Sequence, residues 1–149
     1  MNTPLRLLLV DDHSIVREGL RALLDDEESL QIVGEAADGS EALEVTRQLR
    51  PDVVLMDLKM PGLPAADAIR AIRAEYPATQ VLVLTSYAEE RQVEETLKAG
   101  ALGYVLKSIV AADLVRAILT VASGQTWLHD RTQAALLSVR LGLVEPPTE

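Results

Sequence analysis

The sequence predicts an α/β fold, a doubly wound parallel sheet with helices on both faces. Short aliphatic runs recur along the chain, each too brief for a helix, and stretches with apolar residues at helical spacing separate them. Gly and Pro punctuate the joins. This βα alternation occurs five times; parallel strands need crossover connections and must be covered on both sides, so the sheet lies between helical layers. Leu5 to Val10 opens the first unit, and Val16, Leu20, Leu23 and Leu24 form the stripe of the first helix. Gln31 to Glu35 follows, with Ala42, Val45 and Leu49 as the second stripe. The third unit is Val53 to Met56 with Ala68, Ile69 and Ile72; the fourth is Val81 to Leu84 with Val93 and Leu97. Gly103 to Leu106, with Leu114, Ile118 and Val121, completes the series. The near-continuous apolar character of Leu7 to Val10 and of Val81 to Leu84 marks inner strands. Gly34, Gly39, Pro51, Pro61-Gly62, Pro77 and Gly100 fall between elements, and Pro64 suits the first turn of the third helix, where its missing N–H costs nothing. Beyond Gly124 the pattern changes. Trp127 to Asp130 reads as a loop, and Arg131 to Leu143 as an extra helix with Ala134, Leu137, Leu141 and Val144 as its stripe. Glu145 to Glu149 reads as a linker or free tail.

A chain of 149 residues suits one domain. Its 48% hydrophobic and 25% charged residues are close to globular averages, which excludes a disordered or fibrous chain. No stretch reaches the roughly 18 apolar residues of a membrane span, and Met1 to Leu9 lacks the basic-then-apolar layout of a signal peptide. A soluble cytoplasmic protein with no membrane partner is expected. The absence of cysteine excludes disulfides, thiolate catalysis and Cys-ligated zinc, and leaves carboxylate-bound hard metals open. With 14 Lys and Arg against 23 Asp and Glu, the net charge is -9. Such a chain does not grip a polyanion by itself, so any service to DNA falls to another domain.

In an open parallel sheet, ligands bind beyond the carboxyl ends of the strands. Here the first strand ends in Asp11-Asp12, the third in Asp57, the fourth in Thr85-Ser86 and the fifth in Lys107-Ser108. Clustered carboxylates repel, so a cation must compensate them. Oxygen-only ligands from Asp11, Asp12 and Asp57 suit Mg²⁺, which keeps waters and bridges to phosphate. A carboxylate beside Mg²⁺ can attack phosphorus to give an aspartyl phosphate. The added charge would lie within reach of Lys107 and Thr85. A charge pair near 4 Å is worth about 4 kcal/mol at an effective dielectric of 20, enough to drive a modest rearrangement.

Asp11-Asp12, Asp57 in the run Val53 to Gly62, Thr85, and Tyr104 and Lys107 in the run Gly103 to Lys107 together resemble the motif set of bacterial two-component response-regulator receiver (CheY-like) domains. The resemblance covers Leu5 to about Gly124, and Val10 to Leu20 and Ala99 to Tyr104 look most like the NarL/FixJ group with LuxR-type outputs. It implies a flavodoxin-like (βα)5 sandwich of strand order 2-1-3-4-5, with residues 1–124 as the phosphoacceptor domain. Residues 125–149 then form an extension that precedes a helix-turn-helix DNA-binding output domain lying outside this sequence. It further implies that Asp57 accepts phosphate from a sensor histidine kinase, and that Asp11, Asp12, Asp57 and the Lys59 main-chain carbonyl hold Mg²⁺. Lys107 would pair with the phosphoryl group, Thr85 would move to bond it, and Tyr104 would turn inward as Thr85 moves. The expected role is regulatory, with chemistry limited to self-phosphorylation and autodephosphorylation.

The sequence departs from the family pattern at Pro64-Ala65, where many relatives have Asp-Gly, and at Ser108, where many have Pro. A cis Lys107–Ser108 bond would cost roughly 2.5 to 4 kcal/mol without proline, and the isomer stays open. Lys59 and Tyr87 stand where family members vary phosphate lifetime, and their bulk and charge would hinder the attacking water. Taken singly, each residue has a plainer reading: Asp12 or Ser14 as a cap of the first helix, Asp57 as a turn residue, Lys107 as a snorkelling cation, Tyr104 as core filling. Trp127 would anchor the tail. His13 and His129 have no ligand spacing and receive no role. The acidic run Glu89, Glu90, Glu94 and Glu95 reads as a solvated face, although relatives often dimerise through the fourth helix, fifth strand and fifth helix, so a homodimer is an expectation.

The coincidence at successive strand ends is what single readings leave unexplained. A receiver acting alone, as a phosphate sink or protein-interaction switch, is the alternative function. A haloacid-dehalogenase-like phosphatase would need Asp-x-Asp, but Lys59 occupies the second acid's place; a flavin carrier would need a phosphate loop where Asp11-Asp12 repel phosphate.

Overall fold

The computed structural model describes residues 3–86 and 90–128. Strands β1 (Leu5–Val10), β2 (Leu30–Ala36), β3 (Val53–Asp57), β4 (Gln80–Thr85) and β5 (Gly103–Leu106) alternate with helices α1 (Ser14–Leu24), α2 (Gly39–Leu49), α3 (Ala65–Glu75), α4 (Glu90–Ala99) and α5 (Ala111–Ala122). A two-residue strand, β6 (Trp127–Leu128), follows. The order is β2-β1-β3-β4-β5-β6, with every neighbouring pair parallel. This is the expected order with one strand added at the β5 edge.

Side chains alternate across each strand, so every inner strand feeds two cores. Leu7, Leu9, Val53, Leu55, Leu82, Leu84 and Val105 pack with Leu20 and Leu24 of α1 and Leu114, Ile118 and Val121 of α5. Leu8, Val10, Val54, Met56, Val81, Val83 and Tyr104 pack with Ala42, Ala68, Ile69, Ile72 and Val93 of α2, α3 and α4. Removing each such Leu or Val from water contributes about 1.5–3 kcal/mol, which is what holds both helical layers on the sheet. β1 sits between β2 and β3, and chain order reverses around it. Asp11 and Asp57 therefore emerge side by side at the carboxyl edge, where a crevice opens.

Several sequence expectations change on folding. Leu23 is 51% exposed, because Leu20 and Leu24 already fill the inward positions of α1. Trp127 and Leu128 are not a loop; they pair with Gly103 and Tyr104. A β-carbon on Gly103 would collide with the main chain of Trp127, so glycine is what admits the sixth strand. Gly34 likewise makes room for Leu49 at a shift in the β1–β2 register. Pro64 stands at the N-cap of α3, one residue ahead of its first turn. Neither Asp12 nor Ser14 caps α1, whose N-cap is His13. Asp38 does cap α2, accepting from the Glu41 N–H at 2.8 Å. No peptide bond among the described residues is cis, so Lys107–Ser108 is trans. No described helix is long and apolar enough to cross a membrane. Tyr87, His129, the extra helix expected at Arg131 to Leu143 and the tail to Glu149 lie outside the described residues.

Candidate functional site

Each strand end delivers one functional group to the carboxyl edge. β1 passes into Asp11, whose N–H donates to the Ala36 carbonyl at 3.1 Å, extending the β1–β2 ladder by one bond. β3 ends on Asp57, only 4% exposed. β4 ends on Thr85, also buried, and its carbonyl accepts from the Lys107 N–H at 2.7 Å. That bond ties the end of β4 to the residue following β5.

Lys107 is the electrostatic hinge of the cluster. Its Nζ lies 3.1 Å from Asp11 Oδ2 and 3.4 Å from Asp57 Oδ1. Burial by itself would lower the ammonium, but its bond to Asp11 and the charges of Asp57 and Asp11 prevail and hold it above the ordinary lysine value. Burial, followed by the negative charge of Asp11, holds the Asp57 carboxyl above the usual carboxylate range; Lys107 and the Lys59 main-chain N–H pull the other way. A cavity of about 190 Å³ opens here, lined by His13, Asp57, Lys59, Thr85, Ser86 and Lys107. A larger cleft of about 470 Å³ runs between the β3–α3 loop and α4, and meets this site only through Asp12 and Lys59. The smaller one holds the buried carboxylate and the ammonium.

The acidic end offers a metal a set of hard donors. Carboxylate oxygens of Asp11 and Asp12 and a ring nitrogen of His13 lie within 4.8 Å of one another. Asp12 Oδ1 is shielded from water and accepts no hydrogen bond, its contact with His13 Nδ1 at 3.0 Å being off hydrogen-bond geometry. A shielded carboxylate oxygen without a donor is the vacancy in bonding that a divalent cation satisfies, and the all-oxygen character of the two acids fits Mg²⁺. Asp57 falls outside that three-residue group, separated from it by Lys107.

The structure thus gathers Asp11, Asp12, Asp57, Lys59, Thr85 and Lys107 at one edge. Tyr104 is placed apart, fully buried in the α2–α4 core and already inward. Sequence reasoning missed His13, which touches both acids; its adjacency to Asp11-Asp12 was the available signal. The Asp11 carboxylate accepts from the His13 N–H at 2.9 Å, so the start of α1 is pinned to the acidic pair. Glu90, Glu94 and Glu95 do lie on α4, where Glu94 pairs with Lys98 at 3.4 Å; Glu89 lies outside the described residues.

A family model described as the response regulator receiver domain matches residues 7–119. The transcriptional regulatory protein LiaR of Bacillus subtilis is 39% identical over 134 residues, covering 90% of this chain and 64% of that protein. The response regulator GacA of Pseudomonas viridiflava is 42% identical over 124 residues, covering 83% and 58%. The chain therefore spans about three-fifths of the length of these relatives. Among solved structures, a two-component response regulator of the LuxR family from Aurantimonas sp. SI85-9A1 superposes with a TM-score of 0.82 at 37% identity, covering 93% of this chain and 98% of that one. The isolated receiver domain of RcsB from Salmonella enterica serovar Typhimurium, with the phosphomimetic BeF3-, superposes at 0.78 with 26% identity, covering 91% and 99%. Fold, strand-end chemistry and these likenesses agree: the chain belongs to the response regulator receiver domain family, as the receiver domain of a two-component response regulator.

Proposed function

We propose that Asp57 accepts a phosphoryl group from a sensor-kinase histidine, and that the resulting charge shifts the domain between two conformations. The observation that carries this reading is the buried Asp57 carboxylate at a strand end, 3.4 Å from the Lys107 ammonium. An Asp57 oxygen forms the new bond to phosphorus as the donor's phosphorus–nitrogen bond breaks, and the electron pair leaves on the imidazole nitrogen, which takes a proton from solvent. Asp11, Asp12 and the Lys59 main-chain carbonyl would hold Mg²⁺, with Asp57 completing the oxygen set; bound there, the ion neutralises phosphoryl oxygens and orients the transfer. Lys107, freed from part of its pairing with Asp57, takes the new charge, and Thr85 supplies a hydroxyl from the adjacent strand end. Phosphate favours the active conformation only by contacting it better, and Thr85 and Lys107 provide that difference. Tyr104 transmits it by turning inward as Thr85 moves, the buried placement it has here.

The name of LiaR and the lengths of LiaR and GacA support a transcription output in which residues 1–124 with strand β6 form the receiver and the remainder leads to a helix-turn-helix domain that binds DNA. Pairing of two copies accompanies this reading. Among the described residues, large apolar side chains stand exposed at Ile15 and Leu23 of α1, at Leu119 of α5 and at Val110 just before it, which favours the α5 side over α4. Sedimentation with and without a phosphoryl mimic tests it: dimer in the mimic sample is expected, and monomer in both refutes it.

Intact mass after incubation with acetyl phosphate and Mg²⁺ tests the main reading. One added phosphoryl group, lost in Asp57→Asn and in EDTA, is the expected result. No addition to a folded, Mg²⁺-binding sample overturns it in favour of a domain working through protein contacts alone.

A further inference from the structure

Arg17 contacts neither the cavity beside Asp57 nor any carboxylate at the site. Its guanidinium, 17% exposed, pairs instead with Glu35 at the end of β2, Nε to Oε1 at 2.8 Å, while Nη1 donates to the main-chain carbonyl of Asp11. Arg21, one turn on, takes the other Glu35 oxygen through Nε at 3.0 Å and Nη2 at 2.7 Å. Asp11 is consequently held at four points: its N–H by Ala36, its carbonyl by Arg17, one carboxylate oxygen by His13 and the other by Lys107. On Asp12 the shielded oxygen, Oδ1, accepts no hydrogen bond and has only the contact with His13 Nδ1 at 3.0 Å. The Asp11–Asp12 peptide is planar, so a donor on the Asp11 carbonyl sets the direction in which the Asp12 Cα leaves the strand.

We infer that Arg17, clamped by Glu35, is a positioning residue that aims the Asp12 carboxylate for divalent-cation binding by fixing the Asp11–Asp12 peptide plane. The inference rests on the Mg²⁺ reading above. Groups that orient ligands without touching the ion commonly set 10–100-fold in metal affinity. Lysine at position 17 has a single nitrogen and cannot reproduce the separate Nε and Nη1 contacts to Glu35 and the Asp11 carbonyl.

Calorimetric Mg²⁺ titration of the parent, Arg17→Met, Arg17→Lys and Arg21→Met, with thermal unfolding of each, tests it. The expected result is a Kd about tenfold weaker in Arg17→Met, an intermediate Kd in Arg17→Lys, and a Kd within about twofold of the parent in Arg21→Met, which loses a Glu35 contact but not the carbonyl bond. Amide resonances of Asp12 and His13 in the metal-free protein should shift in Arg17→Met and stay in Arg21→Met. Equal weakening in Arg17→Met and Arg21→Met, or a parental Kd in folded Arg17→Met, overturns the inference. If Arg17→Met does not fold, Arg17→Lys decides: a weakened Kd at the parental unfolding midpoint supports the inference, and an unchanged Kd overturns it. A parent that binds no Mg²⁺ overturns the metal reading and this inference with it, whereas metal binding indifferent to Arg17 overturns this inference alone.

Discussion

Replacing Lys107 by Met removes the ammonium that separates two buried carboxylates and leaves a side chain of similar length in its place. At 3.1 Å from Asp11 and 3.4 Å from Asp57, each attraction is about 5 kcal/mol for an effective dielectric of 20. The cost of taking the ammonium out of water offsets much of that. Removing one partner of a buried pair nevertheless costs about 3–5 kcal/mol, because the remaining charge is stranded. Lys107 is 23% exposed, so water screens part of the loss and about 3 kcal/mol is expected at pH 7. With a urea slope of about 2 kcal/mol per molar, the midpoint falls by roughly 1.5 M. The pH dependence has a definite sign. Asp57 already sits above its unfolded value through burial and Asp11, and without Lys107 it rises further. A raised carboxyl leaves stability intact below its unfolded pKa and erodes it as pH rises through the folded pKa, so the defect of Lys107→Met shrinks on acidification. Adding Asp57→Asn should restore part of the loss at pH 7, since Asp11 still lacks its ammonium. Urea unfolding followed by the emission of Trp127, the sole tryptophan, reads all of this. A Lys107→Met midpoint equal to the parent's at pH 7, or a double variant no more stable than Lys107→Met, would refute the bridging role.

Three further outcomes are expected. The hydrogen bond from Arg21, reinforced by Arg17, holds the Glu35 carboxyl below its ordinary value of 4.5. Its contribution is therefore present above that pH and lost as pH falls through the folded value, so Glu35→Gln should destabilise the neutral protein and flatten its acid limb in a pH series of thermal melts. Gly103→Ala drives a methyl into the Trp127 main chain, and should cost about 1–3 kcal/mol and redden Trp127 emission as β6 leaves the sheet; unchanged emission would count against the pairing. Lys59 lines the cavity beside Asp57, and a phosphoprotein carrying Lys59→Ala with Tyr87→Ala should lose phosphate faster than the parent; an equal or slower rate sinks the hindrance argument.

Much of this site was legible because the residues that make it stand at strand ends, and strand ends are readable from periodicity. Val53 to Met56 is apolar without interruption, so the acid that follows must leave the core at the carboxyl edge, and the same logic places Asp11 and Lys107. Asp38 escaped notice as the cap of α2 because Gly39 interrupts the helical pattern just where the helix starts. Leu23 was misplaced because a stripe broad enough to include it also includes Leu24, and only packing decides which of the two turns inward.

By itself, the sequence determined the alternation of strands and helices, the buried character of the inner strands, and which residue types arrive at the carboxyl edge. These are local properties, written in spacing and polarity over a few residues. Only the tertiary structure decided that Lys107 would bridge Asp11 and Asp57, that His13 would touch both acids at the head of α1, and that Arg17 would reach the Asp11 carbonyl from a helix clamped to β2. It also decided that Gly103 would accept a sixth strand. Those contacts depend on how strands and helices pack on the two cores, and no periodicity within one segment encodes the distance between the ends of two others.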